Sequence, residues 1–333
     1  MLRFAVRRLL LAALTLVAIS VATFALFFAG PKNPAATMCF NGTICPAEIQ
    51  ERIHRSLGLD RPIVEQYADY MNGIVAGRTF AYGDTPPIEC PAPCFGVSFR
   101  TREPVLDILA RALPVTLSVV VGGAVFYLAV GTALGMISAI RQGTLFDKVS
   151  VGLSLSFASM QIYFLGPLLM ILFVWNSNLL PRPRYVSPAE DVLGWMGGML
   201  LPWVTLGLIN SAQYARLARS QMVETLSEDF VRTARAKGLS SWSVQLRHAF
   251  RAAVTPLVTV AGVDIGVQLG GVVITETTFS LLGIGQQSVR AVQTMNLPII
   301  MAAVLLGAVF IVVANLVVDL LYATIDPRVR LSG

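Results

Sequence analysis

Few side chains in this chain are equipped for chemistry, and their placement limits what that chemistry can be. His54 and His248 are the only histidines. By the topology derived below they fall on opposite sides of a membrane and cannot share a site. No Gly-x-x-x-x-Gly-Lys-Ser/Thr phosphate loop, HExxH pair, nucleophile elbow or paired-cysteine zinc pattern occurs. An enzyme has little to work with here, no metal site is expected, and any use of ATP requires another subunit to hydrolyse it. The four cysteines, Cys39, Cys45, Cys90 and Cys94, lie between the first two apolar runs. An even number in one compartment points to two disulfides on an oxidising face. Three pairings are open; the local rings Cys39–Cys45 and Cys90–Cys94 are favoured because short closures cost little entropy. The remaining candidates are polar groups inside apolar runs, where each is expensive and needs a reason. Asp264 and Gln268, four residues apart, share one helical face opposite the stripe Gly262, Gly266 and Gly270. One face would pack while the other meets water, a partner or a solute, which makes Asp264 the best candidate for a cavity-lining acid. A carboxylate satisfied by neighbouring helices would explain it equally. Gln161 and Tyr163, like Asn210 and Gln213, are weaker candidates, for which local hydrogen bonding is the simpler account.

The elements that must position these groups are membrane helices. Hydrophobic residues make up 55% of the 333 and charged residues 13%, against roughly 25% charged in soluble domains. The chain is therefore an all-α integral membrane protein embedded in a lipid bilayer, with nothing resembling a nucleic-acid module. Arg3, Arg7 and Arg8 precede the run Leu9–Phe28, which has about the 20 residues a span needs and exceeds the roughly 7–15 of a signal-peptide core. It reads as a retained first span. Five more spans are expected over Leu113–Ile140, Val149–Trp175, Trp195–Ala215, Ala253–Thr275 and Pro298–Tyr322. The stretch 30–112, rich in Pro and Gly, reads as a small disulfide-bonded cap outside the membrane, with amphipathic helices over Ala47–Gly58 and Pro62–Ile74. The chain thus divides into 1–29, the insertion 30–112 and a five-helix core 113–333. Gly131-xxx-Gly135 and the Gly262 stripe are close-packing signals, serving intrachain contacts or a subunit interface alike.

Charge sets the orientation. Arg3, Arg7, Arg8, Arg141, Lys148, Arg216, Arg219, Arg232, Arg235, Lys237, Arg247, Arg251, Arg328 and Arg330 fall on one side. The short loops of the other side hold only Arg182, Arg184 and Arg290. Positive residues stay inside, so both termini and the segment 216–252 are cytoplasmic. Asp319, near the inner end of the last span, is expected to pair with a cytoplasmic arginine. Within Glu224–Pro256 the residues to Lys237 favour helix, Gly238 is a natural left-handed stop, and Ser240 and Ser241 can cap a second helix. That second helix carries Val244, Leu246, Phe250, Arg247, His248 and Arg251. A helix–Gly–helix elbow of this kind is either a solvated connector or a knob that docks into another protein.

The segment Asp229-Phe-Val-Arg-Thr-Ala-Arg-Ala-Lys-Gly-Leu239 with Arg247-His248 resembles the coupling loop of ABC importer permeases of the dipeptide/oligopeptide (peptide/nickel) family. Val318-Asp-Leu-Leu-Tyr-Ala-Thr-Ile-Asp-Pro-Arg-Val-Arg330 is similar to that family's C-terminal signature. Gly58-Leu-Asp-Arg-Pro62 with Gln66-Tyr67, and Leu113-Pro-Val-Thr-Leu117, resemble its first-permease type. Thr275-Glu-Thr-Thr-Phe279 with Gly283-Ile-Gly285 resembles its fifth-to-sixth connection. The likeness covers nearly the whole chain. It implies a type I importer permease of six spans in a bacterial or archaeal plasma membrane. The implied partners are a second homologous permease, two cytoplasmic ATPase subunits that bind ATP and Mg, and an extracytoplasmic peptide-binding protein. It also implies that Arg232, Arg235, Lys237, Gly238, Leu239, Trp242, Arg247 and His248 form the ATPase-coupling elbow. The translocation path would draw on Gln161, Tyr163, Asp264 and Gln268.

Departures from the family pattern fall on the outer half and along that path. Ser159-Met-Gln161-Ile-Tyr163 lacks a usual proline, Gly30-Pro31-Lys32 replaces an acidic exit from the first span, and the Cys39–Cys45 and Asp84–Phe95 stretches look inserted. Nickel chelates, opines or sugars are therefore the runner-up cargoes. From a different class, an ion-coupled carrier using Asp264 would be expected to show an internal repeat of spans, and none is evident. A membrane-anchored receptor would leave the elbow and the polar face unused.

Overall fold

A computed structural model of the chain describes the backbone over residues 2–29, 61–80 and 87–325, with side chains from 6 to 26 in the first stretch and to 318 in the last. Cys39, Cys45, His54, the helix expected over Ala47–Gly58, the side chain of Asp319, and Arg328 and Arg330 lie outside the described residues. The apolar runs become long helices: α1 (Leu2–Ala29), α3 (Val105–Ile140), α6 (Val192–Leu226), α8 (Ser241–Leu269) and α11 (Leu297–Ile325). Between them lie α2 (Ile63–Ala76), the bent pair α4 (Leu145–Ala158) and α5 (Ile162–Asn176), α7 (Asp229–Ala236), α9 (Val273–Thr278) and α10 (Ile284–Gln293). Among the described residues, five helices are long and apolar enough to cross a membrane, and the bent pair, counted as one span, brings the number to six.

Several boundaries differ from expectation: α6 runs on to Leu226 past the expected Ala215, α8 starts at Ser241 ahead of Ala253, and three more are informative. The third apolar run is not one straight span over Val149–Trp175 but two helices meeting at 101°. Ser159 ends the first, and Gln161 opens the second in an extended conformation (φ −92°, ψ 146°). The second span begins at Val105, ahead of Leu113, and carries Pro114 within the helix. The fifth stops at Leu269, because Gly271 turns the chain with φ +133° before α9 begins.

Small residues decide which helices touch. A Cβ on Gly135 of α3 would stand 2.3 Å from the Ala215 carbonyl of α6, and one on Gly131 would stand 2.8 Å from that of Ser211. The α3–α6 seam is completed by Val115, Val119 and Val120 against Met199, Leu201 and Leu206, and by Trp203, whose Nε1 donates to the Ser118 carbonyl at 2.7 Å. The Gly262, Gly266 and Gly270 stripe packs on Val318, Ala314 and Gly307 of α11. Both small-residue motifs therefore serve contacts within the chain.

The described part of the cap holds α2 and the antiparallel ribbon β1 (Arg78–Phe80) and β2 (Ile88–Cys90), with Arg78 opposite Cys90 and Phe80 opposite Ile88. Cys90 and Cys94 form one of the expected local rings. Buried Phe24, Tyr70, Met301 and Leu305 join α1, α2 and α11. Asn296 ties the cap to the start of α11, donating to Ser98 Oγ at 2.8 Å and accepting from the Phe99 amide at 3.2 Å.

Candidate functional site

At the inner face the elbow forms as its residues dictate. Helix α7 ends at Ala236 with Lys237 as its C-cap, and Gly238 takes φ +76°. The Gly238 amide donates to the Arg235 carbonyl (2.9 Å) and that of Leu239 to Ala234 (3.4 Å), the two bonds of a Schellman stop. Ser240 then caps α8, its Oγ accepting from the Ser243 amide at 3.4 Å. The helix expected from Glu224 is interrupted at Ser227, where α6 ends and α7 starts afresh. Val231, Ala234, Val244 and Ala249 are buried against Ala139, Met222 and Ala253, which anchors the elbow on the span ends. What faces outward is mixed: Arg232, Arg235, Lys237, Leu239, Arg247 and His248 are exposed, and Trp242 is 71% exposed. Large apolar groups set among cations, on a rigidly rooted turn, suit a protein partner better than water alone.

Within the spans, Asp264 and Gln268 of α8 lie on the face turned toward α3 and α6. Tyr214 of α6 donates its hydroxyl to Asp264 Oδ2 at 2.7 Å. Its ring stacks on Tyr127 of α3, with centroids 4.9 Å apart. Gln161 and Tyr163 are not part of this group. They sit exposed at the α4–α5 bend. Asn210 donates back to the Leu206 carbonyl of its own helix at 2.8 Å, and Gln213 is exposed.

Two further constellations were not expected as sites, although Glu276 and Thr116 of the second lie in the motifs Thr275–Phe279 and Leu113–Leu117 that carry the family resemblance. At the cytoplasmic end, ahead of the third apolar run, Asp147 accepts a two-pronged bond from Arg219 (2.7 and 2.9 Å), together with the Ser138 hydroxyl and the Gly143 amide (3.0 Å). The Arg219 guanidinium and these donors hold the Asp147 carboxyl well below the usual carboxylate range. The clamp joins α3, α4 and α6. Its sequence signal was a lone acid among Arg141, Lys148, Arg216 and Arg219. On the outer half, Glu276 of α9 is fully buried. It accepts from Thr116 Oγ1 of α3 (2.6 Å) and from the Gln286 amide of α10 (2.9 Å), while Thr116 accepts from the Ile284 amide (2.9 Å). A side chain on Gly283 would meet the Glu276 carboxyl at 2.3 Å, so the Gly283-Ile-Gly285 turn is shaped around that acid.

Comparison with known proteins identifies the family. The family model for the N-terminal membrane component of binding-protein-dependent transport systems matches residues 1–120. That for the inner membrane component of the same systems matches residues 131–331. The chain is 35% identical to the dipeptide transport system permease protein DppB of Escherichia coli (strain K12), over 99% of each chain. It is also 35% identical to the di/tripeptide transport system permease protein DppB of Pseudomonas aeruginosa (strain UCBPP-PA14), again over 99% of each. A probable peptide ABC transporter permease of Sinorhizobium fredii is 32% identical over 98% of this chain. The expected type I importer permease fold holds, and the chain is a multi-pass membrane transport component rather than an enzyme. With one model matching more than half of its length and relatives aligned end to end, this chain belongs to the family of inner membrane components of binding-protein-dependent transport systems.

Proposed function

We propose that the chain forms one half of the translocation path of an ATP-driven importer whose cargo is a di- or oligopeptide. The observation that carries the cargo class is identity at 35% over 99% of the chain with permeases named for dipeptide and di/tripeptide transport. A second homologous permease supplies the other half, an extracytoplasmic binding protein delivers the peptide, and two cytoplasmic ATPase subunits hold ATP and its Mg ion. The elbow supports this division of labour. Its buried side roots it in the spans, and its exposed Leu239, Trp242 and cations are free to enter a cleft on an ATPase subunit. Arg232, Arg235, Lys237, Gly238, Arg247 and His248 then transmit nucleotide-driven closure to α6 and α8, the helices that flank the elbow. Asp264 and Gln268 face the cargo, with Gln161 and Tyr163 contributing at the α4–α5 bend.

The test is uptake of radiolabelled peptides of graded length in cells lacking this chain, with and without its return on a plasmid. Restored peptide uptake that stops when the ATPase subunits lose activity is the expected result. Unchanged peptide uptake, with loss of nickel-chelate, opine or sugar uptake instead, overturns the cargo. Transport by the purified single chain on an ion gradient alone overturns the mechanism.

A further inference from the structure

The polar group between α3, α6 and α8, with Tyr127 and Tyr214 buried and Asp264 and Gln268 half-buried, is incompletely satisfied, and what it lacks has a definite chemistry. Asp264 is held only through Oδ2, by Tyr214; among the described residues it forms no ion pair. Gln268 Oε1 is buried without a hydrogen-bond partner. So is the hydroxyl of Tyr127, a side chain with 0% exposure. Its ring stacks on Tyr214, which holds Asp264, and Gln268 stands one turn along α8 from that acid. Apolar Ala124, Ala261, Leu128, Val260 and Ile265 wall the two tyrosines. Unpaired buried oxygens such as Gln268 Oε1 and the Tyr127 hydroxyl are costly in such surroundings.

From this geometry we infer that the cluster is a binding site for a protonated primary amine. Acceptor capacity is open at the second Asp264 oxygen, at Gln268 Oε1 and at the Tyr127 oxygen, and the Tyr127 O–H can itself fill one of the first two. A primary ammonium carries three donors and no acceptor. The stacked rings of Tyr127 and Tyr214 add an attraction for a desolvated cation. The single carboxylate gives one negative charge for one positive charge. A divalent ion would demand six or more oxygens or an octahedral shell of them, which one acid, one amide and one phenol do not supply. Resting on the peptide reading above, the natural occupant is the free N-terminal ammonium of the cargo. The intramembrane acid is then a way-station that repays part of the cost of bringing that charge into the spans.

The experiment uses the full-length chain purified in lipid nanodiscs and follows thermal unfolding with ethylammonium chloride, sodium chloride, dialanine or N-acetyl-dialanine at matched ionic strength. Ethylammonium and dialanine should raise the unfolding temperature in a saturable way, because a ligand that binds only the folded state stabilises it. Sodium and the acetylated peptide should not. Asp264→Asn keeps an acceptor for Tyr214 and should weaken the amine response at least about tenfold, while leaving the ligand-free unfolding temperature near that of the wild type. Tyr127→Phe keeps the stack and should weaken the response less. An equal response to sodium, or an undiminished one in Asp264→Asn, overturns the proposal. Normal peptide uptake in cells without any amine response would sink the site and spare the cargo reading. An amine response without peptide uptake would do the reverse.

Discussion

Gly238 shows how much one backbone angle can decide. Its φ of +76° is closed to most side chains at a cost of about 1–2 kcal/mol, yet the space around its missing Cβ is empty. Substitution therefore strains the turn without a clash. Gly238→Val should insert and fold, keep ATP hydrolysis in the assembled transporter, and lose most uptake. Gly238→Asn, which tolerates the left-handed region, should retain it. The ratio of cargo imported to ATP hydrolysed separates the two, and wild-type uptake by the valine variant would remove the elbow from the coupling role. Asp147 acts through charge instead. Because its folded carboxyl titrates below the unfolded value of about 4, the clamp contributes fully above that pH and is lost only as pH falls through the folded value. Thermal unfolding measured from pH 5 to 8 should show no step traceable to Asp147. Asp147→Asn should lower the unfolding temperature across that whole range, and more than Arg232→Ala, whose ion pair with Asp229 is exposed and long at 3.6 Å.

Among the helices, backbone proximity sets the architecture. The α3–α6 seam tolerates only glycine at its tightest point, since any Cβ on Gly135 meets backbone that cannot step aside. Gly135→Leu should cost more than the about 1–3 kcal/mol of ordinary overpacking. Gly152→Leu on α4, where nothing lies within 4 Å, should be silent in the purified chain. Equal unfolding temperatures for the two variants would mean that the seam does not hold the fold. Which faces pack was partly legible beforehand: glycines four apart announced two seams. Whether those seams were internal was not, because spacing describes one helix and says nothing of its neighbour.

At the scale of the molecule, burial and exposure divide the work. The outer half is closed on itself by Glu276, Asn296 and the Phe24–Tyr70–Met301 cluster, while the cytoplasmic end presents an uncovered tryptophan. Trp242→Ala removes nothing from the core and should leave thermal stability unchanged. It should weaken co-purification of the ATPase subunits at least about tenfold, as expected for a tryptophan buried at an interface. A stability loss without a change in co-purification would make Trp242 a structural residue instead.

Composition and local pattern alone determined that this is a multi-pass membrane protein, where its elbow turns and how its second helix is capped, and its charges predict the side on which the elbow lies. These depend on transfer free energy, on charge near span ends and on the conformational preferences of Gly238 and Ser240, all written within a few residues of one another. Only the tertiary structure decided the partners of the buried polar groups. Tyr214 reaches Asp264 across 50 residues, Arg219 reaches Asp147 across 72, and Thr116 reaches Glu276 across 160. It also decided that the third passage bends between Ser159 and Gln161, leaving Gln161 and Tyr163 apart from the acid. Such pairings are properties of which helices lie side by side, and helix adjacency is settled by how all the apolar and glycine faces pack at once.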